Sequence, residues 1–463
     1  MTYPPSVRTA PEHERSRPPV PAAVPAPPRR GALSVTADRV RAAATTEPGR
    51  LQIIGAVLAL LVVAFGAVTA LEVSDRASAA DDVVSRSQPL SADAAAIYRS
   101  LADADTAAAS GFLAGAQEPR DVHERYRKDI REAARLLVKA AANTDASTES
   151  GQEITTLNEQ LPRYAGLVER ARANNRQGLP LGGAYLRYAN QQMSKVLLPA
   201  AERLYAAETD RLGEDNDAAR SWPFLSLGLG VVVLAVLLWA QRRNYRRTNR
   251  VFNQGLLVAT AACTVLMLWL AVGHAVARSE MRSAEVNGQR SLDVLNHARI
   301  DSLKARANEN LTLVARGAVL TADGLHDKYE TDYSAGMKAL GEELGRAGKL
   351  ADDDRGREPV AKAVDAVAEW RGRHLTARTA DDGGDYDGAR AQIIGAENST
   401  GESFERVDSA LEQALTHEQD EFTRAAKDGR GALGGLPSGA AGLAVLGAVA
   451  AIFGVNRRLS EYR

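Results

Sequence analysis

The chain has 463 residues, a formal net charge of −1 and only 5 % aromatic residues. Its length leaves room for about three domains, and its near-neutral balance offers no global attraction to a polyanion such as nucleic acid. A single cysteine, Cys263, excludes an intrachain disulfide. Few aromatics beside plentiful Ala, Leu, Val and Glu favour helices over sheets.

The average hides an asymmetry. Residues 1–50, 241–253 and 456–463 hold sixteen arginines and five acids, so the remainder is net acidic. Opposite charge in separate stretches points to two compartments.

Residues 1–50 include "PPVPAAVPAPPRR", rich in Pro and Ala and without apolar periodicity. Disorder with polyproline II character is expected there, as a spacer or a docking segment. Leu51–Leu71 is the first of four long, apolar stretches free of charge. The others are Pro223–Ala240, Leu256–Val276 (entered at residue 254) and Leu436–Val455. About 20 helical residues cross a hydrocarbon core, so each reads as a membrane span. For the first, a signal peptide cut at Ala77-Ser78-Ala79 is the alternative. The long preceding segment and the long apolar run argue against it. In the fourth, Ala440, Ala444 and Ala448 recur every four residues. That is either a ledge for close helix approach or a plain lack of bulky side chains.

Between the spans lie 72–222 and 277–435. In the first, Ile154, Leu157, Leu161, Tyr164 and Val168 follow a helical 3-4-3-4 spacing, and breaks near 114–120, 143–151 and 174–182 leave four helices. In the second, Val360, Val364, Val367 and Trp370 make a similar stripe, with Pro359 suited to a first helical turn. Breaks near 317–324, 347–358 and 380–387 again leave four helices. Arginine marks the cytoplasmic face. The arginine-rich segments 1–50, 241–253 and 456–463 are therefore placed inside, and both acidic regions outside. The expected fold class is an all-α integral membrane protein of the plasma membrane, multi-pass, with cytoplasmic N- and C-termini. It has four transmembrane helices and two tandem extracytoplasmic four-helix bundles, sensor-like in form, whose first and last helices continue into the spans.

The two halves resemble each other. "HERYRKDIREAARLL" from His123 and "HDKYETDYSAGMKAL" from His326 align at an offset of 203, and "SLADADTAAASGFLAGA" from Ser100 aligns with "SLKARANENLTLVARGA" from Ser302 at 202. A loop insertion explains the changed offset, and duplication explains the pattern. The motif opens the second helix of each bundle, at the outer tip. A candidate partner surface there comprises His123, Glu124, Arg125, Tyr126 and Asp129, with His326, Asp327, Lys328, Tyr329 and Asp332. In the competing reading both tyrosines pack inside and the charges are solvated or capping. Asp121 and Glu124 have capping-box spacing.

The loop "QRRNYRRTNRVFN" carries Arg242, Arg243, Arg246, Arg247 and Arg250. So short a hairpin between spans is a poor nucleic-acid surface, and anionic membrane lipids account for most of its charge. It also joins the two halves inside, where it is placed to relay their movement.

Catalytic motifs are missing: there is no Walker-type phosphate loop, HExxH or GxSxG. No catalytic residue, cofactor or metal site is expected. "DDGGDYDGAR" misses the EF-hand spacing and reads as a turn. The carboxylates of "HEQDEF" at His417 read as a solvated helix face. The spans lack Asp, Glu, Lys and Arg, which disfavours transport.

The four spans, the twin helical regions, "RRTNRVFNQGLL" entering the third span and the terminal "NRRLSEYR" resemble the actinobacterial GlnX-type membrane proteins. The resemblance runs from the first span to the end of the chain. It implies a relay in which a solute-binding lipoprotein outside captures glutamate, glutamine or aspartate. The membrane protein senses its loaded state, and a cytoplasmic Ser/Thr kinase, protein kinase G, adjusts nitrogen and 2-oxoglutarate metabolism. No catalytic residue is carried over. The bundles also look like the four-helix sensor domains of chemoreceptors and histidine kinases, an analogy that allows a homodimer. A structural envelope scaffold, a direct small-ligand sensor and a transport subunit remain as alternatives.

Overall fold

The computed structural model describes residues 47–248, 253–395 and 397–459. The proline-rich start, Arg250 and the last four residues lie outside the described residues. Of Arg247 only the backbone is described.

Helix α1 (Glu47–Asp82) carries the first apolar stretch. It runs through a π-helical segment (Val83–Ser87) into α2 (Gln88–Leu113) without leaving helical backbone. Helices α3 (Arg120–Asn143) and α4 (Glu149–Arg176) follow. Next, α5 (Leu181–Gln192) passes through a second π segment (Met193–Leu197) into α6 (Leu198–Arg220). The second and third apolar stretches are α7 (Phe224–Thr248) and α8 (Gln254–Ser283). A third π segment (Ala284–Gln289) joins α8 to α9 (Arg290–Ala315). Then come α10 (Lys328–Leu350), α11 (Asp354–Asp382), α12 (Tyr386–Ile394), α13 (Thr400–Leu433) and α14 (Leu436–Leu459). The described residues contain no strand, only an isolated bridge between Leu320 and Asp327. Among the described residues, four helical runs are long and apolar enough to cross a membrane: Gly49–Leu113, Leu181–Arg246, Gln254–Ala315 and Thr400–Arg457.

Side-chain capping explains several of the helix starts. Side-chain oxygens of Thr148, Asp327, Asp353, Asp385 and Ser399 accept the orphan backbone N–H groups of α4, α10, α11, α12 and α13. The capping box expected at Asp121 does not form. The helix begins earlier, behind Pro119, with no side-chain cap, and leaves Asp121 inside the first turn. Pro359 also sits deeper than expected, because Asp353 caps α11 and its first residue, Asp354, lies five residues before Pro359. The last helix of the second region is split at 395–399, so α12 is a separate short helix. "DDGGDYDGAR" is indeed a turn, with Gly384 at φ +84° and Asp385 capping α12.

One hydrophobic core runs through both groups of helices outside the spans. Its centre is the contact of α2 with α9. Helix α2 is so rich in alanine that it is buried almost all round, which lets α3, α6 and α9 pack closely on it. Polar bonds tie the pair along its length. The Thr106 hydroxyl donates to the Leu303 carbonyl at 2.8 Å, Lys304 to the Tyr98 hydroxyl at 3.0 Å, and Asn310 to the Ser110 hydroxyl at 2.7 Å. The stripe Ile154, Leu157, Leu161, Tyr164 and Val168 is buried as its spacing requires. In the second stripe Val364 is exposed, because the face of α11 turns toward Trp370 and His374.

The apolar helices present Leu60, Leu238, Leu268 and Phe453 outward, which suits a lipid environment. Inside, small residues set the spacing. Ala440, Ala444 and Ala448 are buried, and a Cβ on Gly66 would lie 2.0 Å from that of Ala444. The alanine row of α14 is therefore a packing ledge. Two further features join spans to bundles. Near the span end of α1, Arg76 donates to the carbonyls of Ser221 and Trp222, while Glu72 accepts from the Ser226 backbone N–H and hydroxyl. Farther out, Val83 and Ala284, each at the start of a π segment, share one apolar layer with Leu212, Phe422 and Ala426.

Candidate functional site

Because α2 and α9 lead away from the spans, the starts of α3 and α10 are span-distal. The sequence motif falls there. Tyr126 and Tyr329 are buried, as the packing alternative has it. His123 is half-buried, 3.8 Å from Glu118, and His326 is exposed on the 316–327 loop. Asp327 is an N-cap, Lys328 pairs with Asp332 on its own helix, and Glu124 is exposed. Arg125 and Asp129, together with Glu124, line a cleft between the two helix groups.

This cleft has a volume of about 740 Å³ and draws on four helices. Helix α2 supplies Arg99 and Asp103, α3 supplies Arg125, Lys128 and Asp129, α9 supplies Arg299, and α13 supplies Asp408 and Glu412. Arg125 grips Asp103 at 2.9 and 3.0 Å and reaches across to Glu405 at 2.6 Å and Asp408 at 3.7 Å. Asp408 also takes two hydrogen bonds from Arg299, at 2.7 and 3.1 Å. One carboxylate thus ties the first half of the chain to the second.

Two further groups sit in the cleft. Arg99 is half-buried and donates to the Asn296 side chain, with the Asp408 and Glu412 carboxylates nearby as counter-charges. Burial and the neighbouring Arg299 push its guanidinium down to about 10. Asp129 is only 8 % exposed, and one of its oxygens has no hydrogen-bond partner. Burial, reinforced by Asp103 and opposed by Arg125, pushes its carboxyl up to about 8.

A second polar cluster lies deep in the α9–α13 region. Glu309 is fully buried and accepts from Arg306, from the Trp370 indole at 3.1 Å, from Thr400 at 3.0 Å and from His374 at 2.9 Å. The other nitrogen of His374 meets Glu330 at 3.1 Å, and Tyr333 stacks on its ring. Burial would lower the imidazole, but the bonds to Glu309 and Glu330 win and hold it up to about 9. Burial raises Glu309, yet Arg306 and His374 bring it below its ordinary value. In the first half, burial pushes Asp105 up to about 6 despite hydrogen bonds from Asn190 and Tyr164.

The "HEQDEF" carboxylates are not a uniform solvated face. Glu418 is buried and pushed up to about 7 by its burial. His417 contacts Asp353 at 3.1 Å and Glu421 at 3.6 Å. Asp353, His417 and Glu421 have ligand atoms within 4.8 Å of one another, a set with the donor types of a cation site but already bonded internally.

Of the loop arginines, Arg242, Arg243 and Arg246 extend α7 beyond its apolar stretch, and Arg243 lies over the Trp239 ring at 5.3 Å. The placement of Arg247's side chain and of Arg250 falls outside the described residues.

The geometry is that of a helical protein with four apolar, span-length helices carrying a charged interhelical cleft. Residues 79–217 match the family described as the actinobacterial sensor domain. The match covers the end of α1, the first π segment and nearly all of α2–α6, and it supports a sensing or signalling role. No curated protein and no solved structure matches the chain.

Sequence reasoning missed Arg99, Asp103, Arg299, Asp408 and Glu412. A signal existed in "SLADADTAAAS", where two aspartates interrupt a helix otherwise apolar on every side. Arg99 meets Asn296 from 197 residues away, and only the packing of α2 on α9 brings the two together.

Proposed function

We propose that the protein is a non-enzymatic transmembrane signal relay. Two tandem extracytoplasmic bundles, products of duplication, sense a solute signal, and both termini with the 241–253 loop lie in the cytoplasm. As the GlnX-type resemblance implies, the signal arrives through an amino-acid-binding lipoprotein. It leaves through a cytoplasmic Ser/Thr kinase that controls nitrogen and 2-oxoglutarate metabolism. The observation that carries this reading is the unbroken helical path from α1 into α2 and from α8 into α9. A rotation or shift at the cleft has no flexible joint in which to dissipate along these two helices. π segments are frequent at functional sites, and here two of them pack together where span and bundle meet. The sensor-domain match covers the first of these junctions.

Deletion of the protein tests the reading. A relay requires that amino-acid-dependent phosphorylation of the kinase's target be lost and return with the full chain. A mere envelope scaffold leaves that phosphorylation intact. A second reading, direct binding of a small ligand by the bundles, is favoured by the charged cleft of about 740 Å³ between the helix groups.

A further inference from the structure

We propose that Asp353, His417 and Glu421 bind one divalent transition-metal ion of the zinc type, where the turn between α10 and α11 meets α13. His417 supplies a ring nitrogen, and Asp353 and Glu421 supply carboxylate oxygens. The site lies outside the charged cleft and does not depend on the relay.

The geometry is close to that of a ligand set. His417 and Glu421 are four residues apart on α13, so both project from one face of the helix. Asp353 meets them from the start of α11, where its Oδ1 is held in place by accepting the Gly356 N–H at 2.8 Å. His417 Nε2 lies 3.1 Å from Asp353 Oδ1 and 3.6 Å from Glu421 Oε1, and the three residues bring donor atoms within 4.8 Å of one another. Ligands around a tetrahedral ion with bonds of about 2.1 Å are roughly 3.4 Å apart, so two of the three spacings already suit one. The partly exposed Glu421 has the freedom to close the third, and the same exposure gives an ion its way in. Imidazole mixed with carboxylate suits zinc and its neighbours better than calcium or magnesium, which take oxygen ligands.

Charge points the same way. Glu418 is 3 % exposed, and its Oε1 lies 3.1 Å from where a Cβ on Gly356 would sit, with Asp353 Oδ1 3.5 Å from that point. The missing side chain of Gly356 thus lets a third, buried carboxylate approach the set, with Ser291 as its hydrogen-bonding neighbour. Among the described residues no Lys or Arg forms a salt bridge with Asp353, Glu418 or Glu421, and His417 is the group that faces them. Three carboxylates against one imidazole leave negative charge that a dication offsets. The present contacts of Nε2 do not block this. The ring ligates as neutral imidazole with its proton on Nδ1, a second proton leaves Nε2 for solvent, and the contacts are replaced by bonds through the ion. Glu421 adjoins Phe422, which shares the apolar layer of Val83 and Ala284 at the starts of two π segments. An ion here clamps the α10–α11 turn to α13 beside the junction of span and bundle.

Titration calorimetry on the tag-free, chelator-stripped full chain in phosphatidylcholine nanodiscs tests this, with Zn²⁺, Mg²⁺ and Ca²⁺ as probes and empty nanodiscs as the blank. The wild type should bind Zn²⁺ at least tenfold more tightly than Mg²⁺ or Ca²⁺, and its Tm should rise with the bound ion. His417→Gln, Glu421→Gln and Asp353→Asn should each weaken Zn²⁺ binding at least tenfold at unchanged helical content, and should abolish the rise in Tm. Asn still caps a helix, so Asp353→Asn separates ligation from capping and keeps the test open should another variant unfold. Asp354→Asn, exposed and paired with Arg357, should leave binding unaltered. The inference is overturned if the folded wild type binds no Zn²⁺, or if Mg²⁺ or Ca²⁺ binds as tightly. It is equally overturned if the folded variants bind Zn²⁺ as the wild type does, which would mark an adventitious ion only.

Discussion

Glu309→Gln removes the one negative charge at the centre of the α9–α13 cluster while keeping side-chain volume. Glu309 has no exposure and takes bonds from Arg306, Trp370, His374 and Thr400. The variant leaves Arg306 and a protonated His374 buried with no carboxylate between them. Breaking a buried pair in this way costs about 3–5 kcal/mol. For a unit of 150–250 residues each kcal/mol moves Tm by about 2–4 °C, so a fall of roughly 6–20 °C is expected. Tryptophan fluorescence during heating reads this directly, since Trp370 sits in the cluster. The pH response supplies a second signature. His374 is raised above the ordinary histidine value of 6.5 to about 9. Its stabilisation is complete below about pH 6.5 and is lost as pH climbs through about 9. The shift corresponds to about 3 kcal/mol, shared with Glu309 and counted once. Wild-type Tm should therefore decline from pH 6.5 to 9.5, and the decline should shrink in the variant, where only Glu330 still holds the imidazole. An unchanged Tm with an unchanged slope would refute the idea that Glu309 anchors this bundle.

Three other outcomes follow from the packing. Asp105→Asn should stabilise the first bundle at pH 7.5. Its carboxyl, raised from 3.8 to about 6, destabilises the fold fully above that range and not at all below pH 3.8. The gain, about 1–2 kcal/mol after losing one accepted hydrogen bond, should vanish in melts at pH 3.5. Gly66→Leu should separate α1 from α14, because even a Cβ there would meet that of Ala444 at 2.0 Å. Lower Tm in detergent with unaltered membrane insertion is the expected reading. Replacing Arg246, Arg247 and Arg250 together by Gln should weaken relay in cells while the protein still inserts, and normal signalling would reduce the loop to a topology marker.

Much of the helical framework was legible. The spans announce themselves by length and absence of charge, and the 3.6-residue periodicity of Ile154–Val168 places its buried face correctly. Helix starts were less legible where no side chain caps, as at Pro119, because the sequence rule looks for an acceptor that the backbone does not use here. The motif at His123 and His326 was visible, and the burial of its two tyrosines follows the packing alternative. The cleft was not legible as a site. Arg99 and Asp129 look like ordinary helix-surface charges until α9 and α13 cover them. Likewise Glu309 and His374, far apart in sequence, become partners only in the folded bundle.

The relay stands or falls on whether the spans move. A Cβ at Gly55 would lie 3.1 Å from the Cβ of Val455, close to the roughly 3.5–4.5 Å of a disulfide. Gly55→Cys with Val455→Cys, in a Cys263→Ser background, therefore links α1 to α14 on oxidation. In cells alternately supplied with and deprived of L-glutamate, the cross-linking yield should differ between the two conditions. The cross-linked protein should hold phosphorylation of the kinase's target at one level. Equal yields, together with phosphorylation that still follows glutamate through the cross-linked protein, would contradict a signal carried by span movement.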